Sequence, residues 1–135
     1  MKKLFLSLAI IATSSAFAQD IKLEVEIIGF ENDKGTAMVG LYNTKESFLR
    51  TGIKSAKTIV KNKKTYAVFT NLKSGEYAVS MYHDENANGK LDSNFMGIPK
   101  EDYGTSNDAK GFMGPPKYDD AKFTLSSDKK ITIKL

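Results

Sequence analysis

Residues 21–27 alternate between apolar and polar side chains, and this pattern restricts the segment to one kind of structure. Ile21, Leu23, Val25 and Ile27 are apolar, whereas Lys or Glu occupies each position between them. In an extended strand successive side chains point to opposite faces, so the apolar set lies on one face and the charged set on the other. The alternation therefore predicts a β-strand with one buried and one exposed face.

Comparable segments recur along the chain with turn residues between most of them, which is typical of an all-β fold. We expect a seven-stranded antiparallel β-sandwich of the immunoglobulin or prealbumin type. Asn43, followed three residues later by Glu46, predicts one short capped helical turn, and Tyr77 after Gly75 resembles a tyrosine corner. The predicted strands lie within residues 21–27, 37–42, 58–60, 66–69, 76–83, 122–126 and 131–135.

The first eighteen residues have the features of a cleaved export signal. Lys2 and Lys3 precede a short apolar run, and Ala16-Phe17-Ala18 supplies the small residues that signal peptidase reads. The run is shorter than the roughly 20 apolar residues of a spanning helix, so we expect no membrane span. The sequence predicts a signal peptide over residues 1–18, a single domain over residues 19–135, and a periplasmic or secreted protein.

Composition excludes several classes of function. The chain has no cysteine, which rules out disulfides, thiolate zinc sites and a cysteine nucleophile. The formal net charge is +4, but the cations are scattered lysines with one arginine, Arg50. Nucleic-acid binding favours a clustered basic face, so we expect no nucleic-acid partner, and we expect a monomer.

Residues 84–92 have the oxygen-donor spacing of a calcium loop. Oxygen-bearing side chains fall at loop positions 1, 3, 5 and 9, with Gly89 at position 6, and calcium takes six to eight oxygen ligands. The alternative is an Asx-type turn held by its own hydrogen bonds. The spacing predicts a structural calcium ion of modest affinity, about 10⁻⁴–10⁻³ M. Its ligands are the side chains of Asp84, Asn86, Asn88 and Asp92 and the carbonyl of Lys90.

The ligand set predicted for this loop is incomplete. An EF-hand carries a bidentate Glu at position 12, whereas this chain has Phe95 there. Water or a more distant carboxylate has to complete the coordination. The candidate carboxylates are Glu85, Glu101, Asp102, Asp119 and Asp120.

Residues 93–120, here called the 93–120 segment, lack a strand pattern and hold all three prolines. Long connections of this kind are functional or disordered. The segment is rich in aromatic and aliphatic residues, which favours an ordered loop. We expect a binding surface formed by Phe95, Tyr103, Phe112 and Tyr118.

The sequence contains no recognisable catalytic motif. His83 is the single histidine, and one histidine without cysteine makes a poor zinc site; hydrogen bonding to the neighbouring loop is its expected role. We expect a non-catalytic binding or accessory module of the cell envelope, with no catalytic residues and an envelope or extracellular ligand. The alternatives are a carboxylate-based hydrolase of envelope glycans and a structural envelope protein that self-associates.

Several motifs, taken in order, resemble one known family. Residues 71–79 and 83–92, followed by 97–104, Ser106-Asn107 and Gly114-Pro115-Pro116, closely resemble the DUF2141 family of exported bacterial proteins. The resemblance covers essentially all of residues 19–135 and implies an exported β-sandwich without implying an activity. This chain has Ala87 where that family usually carries Gly. More remotely, residues 71–77 resemble transthyretin-like and carboxypeptidase-regulatory-like sandwiches, and the 84–92 loop is similar to calcium loops of bacterial adhesin B-type repeats.

Overall fold

The structure is a computed structural model that describes residues 20–135, and the predicted signal peptide lies outside the described residues. This part of the chain forms eight strands and two short helical segments. No helix within it is long and apolar enough to cross a bilayer. The strands are β1 (Ile21–Ile28), β2 (Thr36–Tyr42), β3 (Lys54–Ile59), β4 (Lys64–Leu72), β5 (Gly75–Asp84), β6 (Tyr103–Thr105), β7 (Phe123–Leu125) and β8 (Lys129–Lys134); the helical segments are a 3₁₀ turn (Ser106–Asp108) and α1 (Tyr118–Ala121).

The smaller of the two sheets has the strand order β4-β1-β8. Strand β1 is antiparallel to β4 but parallel to β8, with Leu23 opposite Lys129 and Ile28 opposite Lys134. The expectation of a wholly antiparallel arrangement is therefore wrong for this pair. Parallel neighbours need a long crossover connection, and here all the strands of the larger sheet lie between β1 and β8 in the sequence.

The larger sheet has the order β3-β2-β5-β6, and β7 pairs with the first residues of β5. Strand β6 pairs with residues 80–82 of β5, and β7 pairs with residues 75–77. Strand β6 lies inside the 93–120 segment, where the sequence predicted a loop. It is the strand that raises the count from the predicted seven to eight.

Side chains from both sheets meet in one apolar core. The four apolar residues of the β1 alternation are at most 2% exposed, which confirms the predicted buried face. Full burial of such a side chain contributes about 1.5–3 kcal/mol. The larger sheet supplies Ala37, Val39, Leu41, Tyr77, Val79 and Met81.

The helical turn predicted after Asn43 is a bend at Thr44 followed by a run of turns over residues 45–50. The capping bond is made by Thr44, whose Oγ1 accepts the N–H of Ser47 at 3.2 Å. Asn and Thr are both good capping residues, so the sequence pattern did not distinguish the two neighbours. The four-residue α1 lies instead in the 93–120 segment and continues one residue past it.

Tyr77 forms the tyrosine corner expected from the sequence. Its ring belongs to the apolar core, while its hydroxyl donates a hydrogen bond of 2.7 Å to the carbonyl of Lys73, four residues upstream. A bond back to the preceding backbone is the defining contact of this motif. The corner therefore fixes the path of the chain from β4 into β5.

We expect Tyr77→Phe to lower the free energy of unfolding by about 1 kcal/mol, because the ring still packs and one hydrogen bond is lost. Urea denaturation with an unchanged m-value measures this loss. Tyr66→Phe is the matched control, since the Tyr66 hydroxyl donates to Glu26 on an exposed face at 3.1 Å. Equal losses of unfolding free energy in the two variants would show that the Tyr77 hydrogen bond stabilises the fold no more than an exposed one does.

Candidate functional site

The 84–92 loop begins at the end of β5 with Asp84, whose side chain accepts hydrogen bonds from the backbone of the loop. The Asp84 side chain is fully buried. One carboxylate oxygen accepts the N–H of Asn88 at 3.1 Å, and the other accepts the N–H of Gly89 at 2.7 Å. Gly89 has a φ of 77°, a conformation that glycine adopts without steric cost. Asp84 therefore satisfies two donors that the tight turn would otherwise leave unpaired.

Asp92, the last residue of the same loop, accepts hydrogen bonds from two side chains within the loop. The side-chain amide of Asn86 donates to Asp92 at 2.6 Å, and that of Asn88 donates to both carboxylate oxygens at 2.8 and 3.0 Å. These hydrogen bonds, Asn88 first and Asn86 second, hold the pKa of the Asp92 carboxyl below its ordinary value. The amide groups thus supply the partial positive charge that stabilises the carboxylate.

Glu101 is the distant carboxylate that the fold brings to this loop. Its Oε1 accepts the N–H of Glu85 at 3.2 Å, and its Oε2 accepts the N–H of Asp92 at 3.0 Å. Glu101 therefore links the second and ninth positions of the loop. Glu101 is one of five candidate carboxylates, and no signal in the sequence distinguishes it from the other four.

The other candidate carboxylates have different neighbours. Glu85 accepts a hydrogen bond from Asn32 at 3.3 Å, and Asp119 pairs with Lys45 at 2.9 Å. The Lys45 ammonium lowers the pKa of the Asp119 carboxyl. Within residues 20–135, Asp102, Asp119 and Asp120 make no side-chain hydrogen bond to the 84–92 loop. Among the candidates outside the loop, Glu101 therefore differs from Asp102, Asp119 and Asp120 because its side chain hydrogen-bonds to the loop.

The predicted calcium ligands lie together, but their hydrogen bonds are those of the Asx-type alternative. Asn88 Oδ1 accepts the N–H of Lys90 at 2.9 Å, and Asn86 Oδ1 accepts the N–H of Asn88 at 3.3 Å. Phe95, at loop position 12, is 98% exposed. Within the described part of the chain, no group of three His, Asp or Glu side chains lies close enough to hold a metal. The calcium assignment stays a prediction.

His83 is buried beside the loop and joins three segments. Its Nε2 lies 2.5 Å from the carbonyl of Lys34, and its backbone N–H donates to the carbonyl of Asp102 at 2.8 Å. The imidazole and the Phe30 ring are nearly perpendicular, with centroids 4.9 Å apart. The side-chain hydrogen bond of His83 therefore goes to the connection between β1 and β2 and not to the 84–92 loop, where the sequence predicts it.

Of the four residues predicted to form the binding surface, three are exposed. Phe95 is 98% exposed, Phe112 91% and Tyr103 45%, but Tyr118 is 5% exposed. The prediction for Tyr118 is wrong, because this residue starts α1 and packs with Phe48, Ala78 and Ala121 in a second apolar cluster. Three further apolar side chains of the same segment are exposed and are not among the predicted contact residues, namely Met96, Ile98 and Met113.

The 93–120 segment is fastened to β5 between its exposed parts. The buried Ser106 accepts the N–H of Val79 at 2.9 Å and donates to the carbonyl of Ala121 at 2.5 Å. Asn107 donates to the carbonyls of Asp120 and Lys122 at 3.1 and 2.9 Å. The segment therefore presents its exposed side chains from fixed positions.

Comparison with known proteins finds one family. Residues 25–134 match the family described as "Uncharacterized protein conserved in bacteria (DUF2141)". The matched range starts within β1 and ends within β8, so it includes both sheets, the 84–92 loop and the 93–120 segment. No curated protein and no solved structure matches the chain.

We expect Ala87→Gly to raise the free energy of unfolding by about 0.5–1 kcal/mol, because Ala87 has a left-handed φ of 54° that glycine adopts without strain. Thermal unfolding measures the change. Ala109→Gly is the control: the φ of Ala109 is −61°, so the same substitution lowers stability there. A gain at both positions, or at neither, would contradict backbone strain as the cause.

Proposed function

We propose, from the premise that this chain belongs to the DUF2141 family, that it is a non-catalytic binding or accessory module of the bacterial cell envelope. Its contact surface is the exposed part of the 93–120 segment, and a structural calcium ion in the 84–92 loop stabilises the base of that segment. The protein reaches the envelope through the export signal predicted for residues 1–18. The fold is a sandwich of the immunoglobulin or prealbumin type, which the shared core and the Tyr77 corner support.

The observation that carries the proposal is the exposure of large apolar side chains on a fixed segment. Phe95, Phe112 and Met113 are each more than nine-tenths exposed, at 98%, 91% and 94%. Phe112 and Met113 are neighbours in the sequence, as are Phe95 and the exposed Met96. Exposed apolar patches mark interaction sites, and loops on a rigid scaffold commonly carry function. The contacts of Ser106 and Asn107 with α1 and β5 supply that scaffold here.

The donor chemistry of the 84–92 loop supports the calcium ion. Asp84, Asp92 and Glu101 supply carboxylate oxygens, and Asn86 and Asn88 supply amide oxygens once the side-chain amides rotate away from Asp92. The carbonyl of Lys90 adds a further oxygen. An ion would have to draw these groups closer together than they lie in the structure, and they would then supply the six oxygen ligands that calcium takes at the least. Glu101 replaces the acidic residue that loop position 12 lacks.

A calcium ion here stabilises the start of the contact surface. Glu101 belongs to the 93–120 segment, whereas Asp84 ends β5. One ion bound to both would fix the segment to the sheet and offset the cost of ordering it, about 1–2 kcal/mol per residue. The ion acts on the structure of the segment and takes no part in a reaction.

We expect calcium to raise the thermal midpoint of the protein. At ten times the dissociation constant the gain is about 1.4 kcal/mol, which corresponds to a rise of roughly 4–8 °C for a domain of this size. Differential scanning calorimetry with millimolar calcium, and then with chelator, measures it. Glu101→Gln reduces the rise, whereas Glu24→Gln, on the outer face of β1, leaves it unchanged. An unmoved midpoint at about 10 mM calcium, ten times the highest dissociation constant predicted, would reject the ion.

We expect the protein to co-sediment with bacterial envelope fractions through its exposed phenylalanines. The double variant Phe95→Ser/Phe112→Ser binds at least about tenfold more weakly, because burying a phenylalanine contributes about 1.5–3 kcal/mol. Ile59→Ser is the matched control, since Ile59 is 79% exposed on β3, away from the 93–120 segment. Wild-type protein that stays in the supernatant, or a double variant that binds like wild type, would count against the proposal.

A further inference from the structure

The 84–92 loop contains two asparagines in nearly the same local setting. Asn86 and Asn88 are both exposed. The side-chain oxygen of each accepts the backbone N–H two residues ahead, that of Asn88 at 3.3 Å and that of Lys90 at 2.9 Å. The side-chain amide of each also donates to Asp92. The two asparagines therefore form matched Asx turns.

The backbone nitrogens that follow these two asparagines have different partners. The N–H of Ala87, after Asn86, donates to the backbone carbonyl of Asp84 at 3.3 Å. The N–H of Gly89, after Asn88, donates to the side-chain carboxylate of Asp84 at 2.7 Å. A carboxylate is a stronger base than a peptide carbonyl, so the hydrogen bond at Gly89 draws the proton away from its nitrogen. The nitrogen after Asn88 is therefore the better nucleophile of the two.

The nitrogen of Gly89 is also accessible. The residue is exposed, and no heavy atom beyond its two chain neighbours lies within 4 Å of the position that a Cβ would occupy. Glycine places no side chain of its own beside the preceding side chain. The nitrogen can therefore approach the side-chain carbon of Asn88, and water reaches the same bond.

We propose that Asn88 is a self-modification site, at which the backbone nitrogen of Gly89 attacks the side-chain amide and releases ammonia. A bond forms between the Gly89 nitrogen and Asn88 Cγ, which closes a succinimide ring, and the bond from Cγ to Nδ2 breaks. The proton of the Gly89 N–H passes to the Asp84 carboxylate and from there to solvent. Water supplies a proton to the leaving nitrogen, which departs as ammonia. Hydrolysis of the ring at either carbonyl then leaves aspartate or isoaspartate at position 88.

The loop also stabilises the charge that develops in this step. Attack on the amide carbon places negative charge on Asn88 Oδ1, and that oxygen accepts the N–H of Lys90 at 2.9 Å. Fixed donors at such an oxygen accelerate acyl transfer. The amide nitrogen of Asn88 donates to both oxygens of Asp92 at 2.8 and 3.0 Å, which fixes the plane of the amide. The loop thus orients the amide and supplies both the proton acceptor and the donor to the developing anion.

The modification changes the contacts that hold the loop together. Aspartate or isoaspartate at position 88 no longer donates to Asp92 and places a second negative charge beside it, and like charges repel. Isoaspartate also adds a methylene to the backbone. The N–H of Asp92 donates to Glu101 at 3.0 Å, so a loop that opens at Asp92 loosens its attachment to the 93–120 segment.

Peptide mapping by mass spectrometry, after incubation of the folded protein at mildly alkaline pH with chelator present, measures the reaction. We expect conversion of amide to acid at Asn88 at least about tenfold faster than at Asn86, with isoaspartate among the products. Hydroxylamine, which cleaves succinimides, cuts the chain between Asn88 and Gly89. An unchanged Asn88, or equal conversion of the two asparagines, would overturn the proposal.

Two substitutions separate the effect of the glycine from that of the carboxylate. Gly89→Ala slows conversion of Asn88 at least about tenfold, because the added methyl group crowds the approach of the nitrogen. The loop already holds Ala87 at a φ of 54°, close to the 77° of Gly89, and circular dichroism checks that the variant folds. Ala87→Gly places a glycine after Asn86 while the following N–H still faces a neutral carbonyl, so Asn86 remains the slower site. Conversion of Asn86 as fast as that of Asn88 in this variant, or an unchanged rate in Gly89→Ala, would overturn the proposal.

The inference goes beyond the proposed binding function and does not depend on it. The chelator keeps the measured rates independent of the proposed calcium ion. Conversion of Asn88 in a protein that binds no envelope fraction supports the modification site alone. Envelope binding by a protein whose Asn88 stays intact leaves the binding module and removes the modification site.

Discussion

The backbone of β5 is the constraint from which the rest of the larger sheet follows. Its inner residues are buried, and buried N–H and C=O groups must find partners on both edges of the strand. Strand β2 serves one edge over residues 78–84. The chain has to return to the other edge, which it does with β6, the Ser106 hydroxyl and β7 in succession. The 93–120 segment is therefore part of the sheet's hydrogen bonding.

This return divides the segment into attached and projecting parts. The attached parts are β6, the 3₁₀ turn and α1, and they contain its buried polar groups and the buried Tyr118 ring. One projecting stretch, residues 93–102, precedes β6, and the other, residues 109–117, lies between the 3₁₀ turn and α1. Neither adds a strand to the larger sheet, and Phe95 and Phe112 within them are exposed. The exposure of Phe95 and Phe112 is thus a consequence of how β5 obtains its partners.

Features that depend on residues close together in the sequence could be predicted from it. Features that depend on which strands pair, and on the tertiary positions that this pairing creates, could not. Alternation identified the buried face of β1, and the oxygen spacing identified the 84–92 loop. Alternation carries no information on direction, so the parallel pairing of β1 with β8 was missed. Strand β6 has three residues, which are too few to show an alternation of apolar and polar side chains. Glu101 and Tyr118 acquire their positions through β6 and α1, so the tertiary fold alone distinguishes Glu101 from Asp102 and Tyr118 from Tyr103.

The proposed ion lies next to one of the two exposed apolar stretches of the 93–120 segment. The N–H of Lys100 donates to the carbonyl of Asp92 at 2.7 Å, and Glu101, the next residue, is the proposed closing ligand. An ion in the loop would therefore fix the end of the stretch that carries Phe95. Phe112 lies beyond β6, in a stretch held by the hydrogen bonds of Ser106 to Val79 and Ala121 and of Asn107 to Asp120 and Lys122. Calcium would therefore order the stretch around Phe95 more than the stretch around Phe112.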